Sequence, residues 1–259
     1  MHIELPPNAR LAAVGIDYSD GAHVEPHAHE EAQFLYAASG LMRVVTGRGA
    51  WVIPPTRAVW IPPRTEHQIH MSGQVRMRTL FIPAHACPAA LDECCVLAVT
   101  PLLRELILRG IRLQQENDER SQPLVEQLIL LEIAALEHLP LALPMPADRR
   151  LQVICRTLLK APEHPYTLDD WGHQVGASPR TLARLFRQEL DMSFQEWRQQ
   201  LRLTEALPRL LAGASVQEVA QSLGYGSSRA FSAMFRRLLG ENPREYLQAL
   251  AQLAELKDA

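Results

Sequence analysis

Leu168-Asp169-Asp170-Trp171-Gly172-His173-Gln174-Val175-Gly176-Ala177-Ser178-Pro179-Arg180-Thr181-Leu182-Ala183-Arg184-Leu185-Phe186-Arg187 reads as two short helices joined by a turn. Ser178-Pro179 is a helix start, a hydroxyl cap followed by proline at the first helical position. From there Leu182, Leu185 and Phe186 fall on one side, while Arg180, Ala183, Arg184 and Arg187 fall largely on the other. The pattern returns between Val216 and Leu239, with Val219-Ala220, Gly224-Tyr225, Phe231 and Phe235-Arg236-Arg237. Each copy is an apolar-patterned helix, a glycine-containing turn and an arginine-rich helix.

Such a layout is that of a helix-turn-helix, whose second helix lies in the DNA major groove. Arg180 and Arg184 sit four apart on one helical face. A guanidinium there can bond O6 and N7 of guanine together, worth roughly 1–3 kcal/mol of discrimination. Thr181 and Ala183 share that neighbourhood, and Arg187, further along, suits a phosphate. In the second copy Ser227 or Ser228 caps a helix with Ala230, Phe231, Met234 and Phe235 expected in the core. Ser228, Arg229, Ser232 and Ala233 are expected to face DNA near its start, with Arg236 and Arg237 neutralising phosphates. Phe194 to Leu211 reads as one helix joining the copies, and Pro208 inside it implies a kinked last turn or an early end.

Composition is compatible with this split. The chain has 259 residues, room for two domains, and 47% apolar residues, which argues against wholesale disorder. Its net charge of −3 is unevenly spread. Residues 1–147 hold 11 Lys and Arg against 16 Asp and Glu, and residues 148–259 hold 15 against 13. Cys87, Cys94, Cys95 and Cys155 lack C-x-x-C spacing and read as reduced thiols. Met1-His2-Ile3-Glu4-Leu5-Pro6-Pro7 has no basic-then-apolar leader pattern, and no apolar run approaches the ~18 residues of a membrane span. A soluble cytoplasmic protein is expected.

Residues 148–250 resemble the DNA-binding domain of the AraC/XylS family of bacterial transcription regulators. The resemblance rests on Ser178 to Leu182, Phe186-Arg187, Ala220-Gln221-Ser222-Leu223-Gly224-Tyr225, and Phe231-x-x-x-Phe235-Arg236-Arg237-x-x-Gly240-x-x-Pro243-x-x-Tyr246. It implies seven helices, two of them in successive major grooves. Leu247, where a basic residue is common in the family, and Pro208 are departures.

From Leu11 to about Ile82 apolar residues alternate with period two, broken by turn residues at Ser39-Gly40, Gly47-Arg48-Gly49, Pro54-Pro55 and Pro62-Pro63. Many short strands point to a small barrel or sandwich. His27 and His29, two apart, are expected to point together from one strand. The spacing Gly21-x5-His27-x-His29-x3-Gln33-x6-Gly40, with Pro62-x-Arg64-x2-His67, resembles the two cupin motifs over residues 10–85. That resemblance implies a metal site at His27, His29, Gln33 and His67, with Gln33 standing where a glutamate is usual and Arg64 where a glycine is. Three imidazoles and an amide oxygen suit zinc, nickel or iron. Alternatively these side chains hydrogen-bond an organic effector, with Phe34, Tyr36, Trp51 and Trp60 as apolar walls, and no cofactor is required.

Beyond Pro101 the period becomes helical. Leu102, Leu103, Leu106, Ile107 and Ile111 mark one helix. Leu124, Leu128, Leu131 and Ala135, widened by Val125, Ile129 and Ile133, mark a second. These helices either pack on the barrel or supply a homodimer interface. The expected organisation is multidomain α and β: a cupin-like β-barrel with two helices over 1–139, a Pro-rich linker over 140–147, and an all-α double helix-turn-helix over 148–259. The function expected is sequence-specific regulation of transcription, as activator or repressor, with DNA binding modulated by a small molecule or metal in the barrel. Its partners would be double-stranded DNA, the effector, a second copy, RNA polymerase if an activator, and no membrane. An enzyme is the competing class, disfavoured because Gln33 replaces a carboxylate base. A barrel that only dimerises is the third.

Overall fold

The structure, a computed structural model, describes residues 10–136, 138–139 and 142–255. Contacts divide the chain into two compact units, Met1–Gly47 with Trp51–Leu141, and Arg48–Ala50 with Ala142–Ala259. The opening Met1 to Pro7, and residues 140 and 141 of the expected linker, lie outside the described residues.

The first unit is an antiparallel β structure. Its strands are β1 (Ala12–Tyr18), β2 (His23–His27), β3 (Ala32–Thr46), β4 (Gly49–Ile53), β5 (Arg57–Ile61), β6 (His67–Ile82), β7 (Cys95–Ala98) and β8 (His138–Leu139). They run in the order β1-β6-β3-β5-β7-β8, with β2 on β6 and β4 on β3. The long pair β3 and β6 sets the frame, Gln33 opposite Phe81 and Thr46 opposite His67. Ser39-Gly40 is not the turn its composition suggests. The strand continues through it and the register shifts there. Gly40 takes φ +74°, and a Cβ on it would lie 2.5 Å from the Gln74 carbonyl oxygen, so the glycine makes a bulge that bends the strand. The stretch after His67 is likewise one long strand, running unbroken through Gly73.

Strand alternation sorts the side chains. Phe34, Tyr36 and Trp60 join Leu80 and Ile82 in a core closed by Leu103 and Ile107 of α1 (Pro101–Glu116) and Ile129 and Ile133 of α2 (Gln122–Ala134). Gln33, one residue from Phe34, faces the other way. Three of the four aromatics read as pocket walls are therefore helix-packing core, and Trp51 is buried too. Thr100 caps α1 by accepting from the Leu103 N–H. On α2 the broad apolar pattern resolves into two faces. Ile129 and Ile133 are buried, whereas Leu124, Leu128 and Leu131 are 64%, 49% and 60% exposed.

The second unit begins earlier than expected. Residues 142–147 are not a free linker: Leu143 of β9 (Ala142–Pro144) is buried in the core of this unit. The Pro144 carbonyl accepts from the Trp197 indole at 2.8 Å, and Glu189 accepts from the Ala147 and Asp148 N–H groups. Helices follow as α3 (Arg149–Lys160), α4 (Leu168–Val175), α5 (Pro179–Leu190), α6 (Phe194–Leu211), α7 (Val216–Ser222), α8 (Ser228–Leu239) and α9 (Pro243–Glu255). Pro208 does not end α6, which continues to Leu211. None of the four cysteines is in a disulfide, and Cys155 is buried in this core. Among the described residues no helix is long and apolar enough to cross a membrane.

Candidate functional site

Each helix-turn-helix is set by its caps. Thr167 accepts from the Asp170 N–H while Asp170 accepts from the Thr167 N–H, a reciprocal box that starts α4 and holds the Asp170 carboxyl below its usual range. Gly176 ends α4 at φ +67°, and a Cβ on Gly172 would stand 2.5 Å from the Ala177 oxygen. Ser178 then caps α5 on the Thr181 N–H. In the second copy Ser215 and Glu218 form the box, Gly224 turns at φ +74°, and Ser227 caps α8 on the Ala230 N–H.

These caps fix which faces are presented. Leu182, Phe186 and Leu190 of α5 are buried, and Arg180, Ala183, Arg184 and Arg187 are exposed. Thr181 is half-buried, its hydroxyl 2.9 Å from that of Ser178. Arg184 donates to Gln188 at 2.6 Å, and Arg187 pairs with Glu196 at 3.2 Å. On α8, Phe231, Met234, Phe235 and Leu239 are buried. Ser228, Arg229, Ala233, Arg236 and Arg237 are exposed, and Ser232 is half-buried. Ala230, expected in the core, is exposed because it falls at the edge of the buried stripe. Arg237 donates to Gln199 of α6.

Beside Arg229 lies a cavity of about 730 Å³ that sequence reasoning missed, lined among others by Ser215, Gln217, Ser232 and Arg244. Asn242 caps α9 there, its side-chain oxygen accepting from the Arg244 and Glu245 N–H groups at 3.0 Å. The Asn242-Pro243 helix-start signal was legible, but not that α7, α8 and α9 begin beside one another. The second copy thus presents a concave surface of mixed polar and apolar character, with Arg244 as a further cation.

In the first unit β2 ends at His27 and His29 lies just beyond it, so the two do not share a strand as expected. They converge nonetheless. Ring nitrogens of His27, His29 and His67 lie within 4.8 Å of one another. Each Nδ1 faces a backbone carbonyl: His27 to Glu25 at 2.8 Å, His29 to Glu31 at 2.7 Å, His67 to Thr65 at 2.9 Å. A carbonyl only accepts, so each Nδ1 carries hydrogen and Nε2 is the nitrogen each ring has left to offer a ligand. The His67 Nε2 is buried without a hydrogen-bond partner. Burial, and to a lesser degree the neighbouring His27 and His29, lower its pKa to about 4, against an opposing pull from the Thr65 carbonyl. It is therefore neutral at physiological pH. Gln33 donates to Thr79 at 2.9 Å, which turns its Oε1 to 3.4 Å from the His29 Nε2.

A buried acceptor without a donor, as at the His67 Nε2, is costly, and a cation there would resolve the cost. Ligands held about 2.1 Å from one ion stand roughly 3.4 Å apart, within small side-chain rotations of the observed spacing. The residues fit a divalent ion. Arg64 points elsewhere, paired with Glu30 at 2.6 Å on the surface.

Two family models match the chain. One, described as an AraC-like ligand binding domain, covers residues 12–137, and the other, a helix-turn-helix domain, covers residues 171–249. The chain is 34% identical over 231 residues to the HTH-type transcriptional regulator NimR of Escherichia coli K12, spanning 88% of this chain and 84% of that protein. It is 30% identical over 103 residues to the HTH-type transcriptional regulator RipA of Corynebacterium glutamicum, spanning 40% of this chain and 31% of that one. A crystal structure of fatty-acid-bound ToxT from Vibrio cholerae aligns over 94% of this chain and 97% of that one, with a TM-score of 0.37 and 13% identity.

Proposed function

Because the chain belongs to the AraC family of DNA-binding transcription regulators, with a ligand-binding domain ahead of a helix-turn-helix domain, we propose that a divalent metal ion held by its histidine cluster is the signal it reads. The observation that carries this is the convergence of three imidazoles, each locked by its Nδ1–H onto a carbonyl, with the His67 Nε2 buried and unpartnered. An imidazole whose Nδ1–H is held by a carbonyl has its ring orientation and tautomer fixed, as metal-ligating histidines usually do. His27, His29 and His67 would hold the ion and Gln33 would add an oxygen. Zinc or nickel suits this nitrogen-rich set. The same set lacks a carboxylate base, which supports a sensor over an enzyme.

In this reading the ion binds one arrangement of the protein better than another, and that difference in affinity shifts the population competent for DNA. Arg180, Arg184 and Arg229 contact base edges, with Thr181, Ala183, Ser228, Ser232 and Ala233 lining the same faces. Arg187 and Arg237 meet phosphates once Glu196 and Gln199 give them up, and Arg236 meets one directly. The outer face of α2 receives a second copy of this chain. Leu124, Leu128 and Leu131 recur there without a charged side chain among the exposed positions 123, 124, 127, 128, 131, 134 and 135. A two-fold pairing sets no like charges opposite each other. Two such chains would present four readers to a paired operator from the cytoplasm.

The test is selection of bound DNA from a random pool by the metal-stripped full chain, with and without added zinc or nickel, alongside metal titration calorimetry. One equivalent bound per chain, lost in His29→Ala together with the metal effect on DNA binding, is the expected result. A metal-independent DNA motif, with no saturable metal binding, would refute the sensor and favour an organic effector.

A further inference from the structure

Inside the second unit, the two helix-turn-helix copies are tied together by one buried and one half-buried arginine, neither with a carboxylate partner among the ion pairs of the described residues. Arg202, in the middle of α6, is 7% exposed. Its Nε donates at 2.9 Å to the carbonyl of Pro162, in the loop that leads into α4. Its guanidinium carbon stands 5.1 Å from the centre of the Tyr225 ring, in the turn between α7 and α8. One helical turn earlier, Arg198 donates to the Tyr166 carbonyl of the same loop at 3.2 Å. Among the ion pairs of the described residues neither arginine has a carboxylate partner.

Both ends of this brace run on into a reader. Tyr166 packs edge-on against Trp171 of α4, ring centres 5.1 Å apart, and Trp171 shares a core with Leu182 and Phe186 of α5. Tyr225 packs edge-on against Phe231 of α8 at 5.5 Å. Gly224 lets the parts close up: a Cβ there would lie 2.9 Å from the Glu163 oxygen. The loop 161–166 is thereby pressed onto the second copy's turn. A contiguous path of packed rings and charge-assisted bonds joins one DNA-facing helix to the other.

Stability alone does not account for Arg202. A buried guanidinium with no anion costs desolvation, and an apolar side chain of similar volume often does as well or better at such a position. What the guanidinium adds is directionality, a bond toward one copy and a ring face toward the other. We infer that Arg202, with Arg198 and Gly224, sets the distance and angle between α5 and α8, and so makes Arg202 a positioning residue for the spacing between the two base blocks of the operator. The inference rests on both helices contacting DNA, as proposed above.

The experiment binds the full chain to DNA containing the selected operator with its two base blocks moved apart or together by one or two base pairs. The wild-type protein should prefer one gap by about tenfold or more, the loss of one reader's base contact. Arg202→Met keeps the apolar stem and removes the guanidinium. It should narrow the preference to about threefold or less. The bases preferred within each block should stay the same, and thermal stability should be unchanged or raised. An Arg202→Met protein that folds and keeps the wild-type gap preference overturns the inference. If Arg202→Met does not fold, Gly224→Ala decides, since it wedges the turn from Glu163 with Arg202 intact. A shifted or broadened gap preference supports the brace, and an unaltered one overturns it. Enrichment of only one base block by the wild-type protein would mean that the two-reader reading has failed, and the inference with it.

Discussion

Replacing Leu128 by alanine should weaken association of two chains by about thirtyfold. Burying a leucine side chain is worth ~1.5–3 kcal/mol. Leu128 is 49% exposed in the single chain, so pairing has about half of that still to gain, ~1 kcal/mol per copy. A two-fold interface uses the residue twice, which gives about 2 kcal/mol, or about thirtyfold in Kd. The folded chain itself should hardly notice, because an exposed side chain lost from a helix surface changes stability by ~0.5 kcal/mol or less. Sedimentation equilibrium of the full-length protein across a concentration series reads the effect directly. Val153→Ala in α3, also an exposed apolar side chain at 53%, is the control and should leave Kd unchanged. A Leu128→Ala Kd within threefold of wild type, or equal sensitivity to Val153→Ala, would refute the α2 face as the interface.

Three further outcomes are expected. Arg184→Ala should weaken operator binding by roughly 1–3 kcal/mol and relax one base preference, read by binding to single-base operator variants. Arg236→Ala should weaken binding to all sequences alike and reduce the slope of log K against log salt by about 1. Asp148 caps α3, accepting from the Arg150 and Leu151 N–H groups, and the Arg150 guanidinium beside it lowers its pKa from 3.8 to about 2. Its stabilisation is complete above the unfolded value of 3.8 and fades as pH falls through about 2. Asp148→Ala should therefore cost about 1 kcal/mol at neutral pH, and calorimetric melts should show the difference closing below pH 3.8.

The second unit was legible because its rules are local. Caps at Ser178 and Ser227 act over three residues, and an arginine on the face opposite Phe186 is exposed by helical geometry alone. The first unit obeys longer-range rules. Ser39-Gly40 has turn chemistry, but whether a glycine turns or bulges depends on what lies across the strand, and Gln74 is remote in sequence. Leu143 looked like linker because its burial depends on Trp197 and its neighbours. The histidines were found by spacing, though for an incomplete reason: their convergence is enforced by three carbonyls at Glu25, Glu31 and Thr65, which no spacing rule specifies. Arg202 left no signal, since an arginine on a helix reads as solvated until the groups around it are known.

Helix α6 has a consequence for how the DNA-reading half comes apart. Its first half lends Phe194, Trp197 and Leu201 to the core around α3, α4 and α5. Its second half buries Leu203, Ala206, Leu207 and Leu210 and contacts α7 and α8. Neither copy can therefore melt alone without stripping cover from half of a helix that the other still needs. The two copies form one cooperative opening unit, so the amides of α5 and α8 should exchange with solvent at a common free energy set by the loss of α6. A chain cut between them would leave two unstable halves in place of two small working domains.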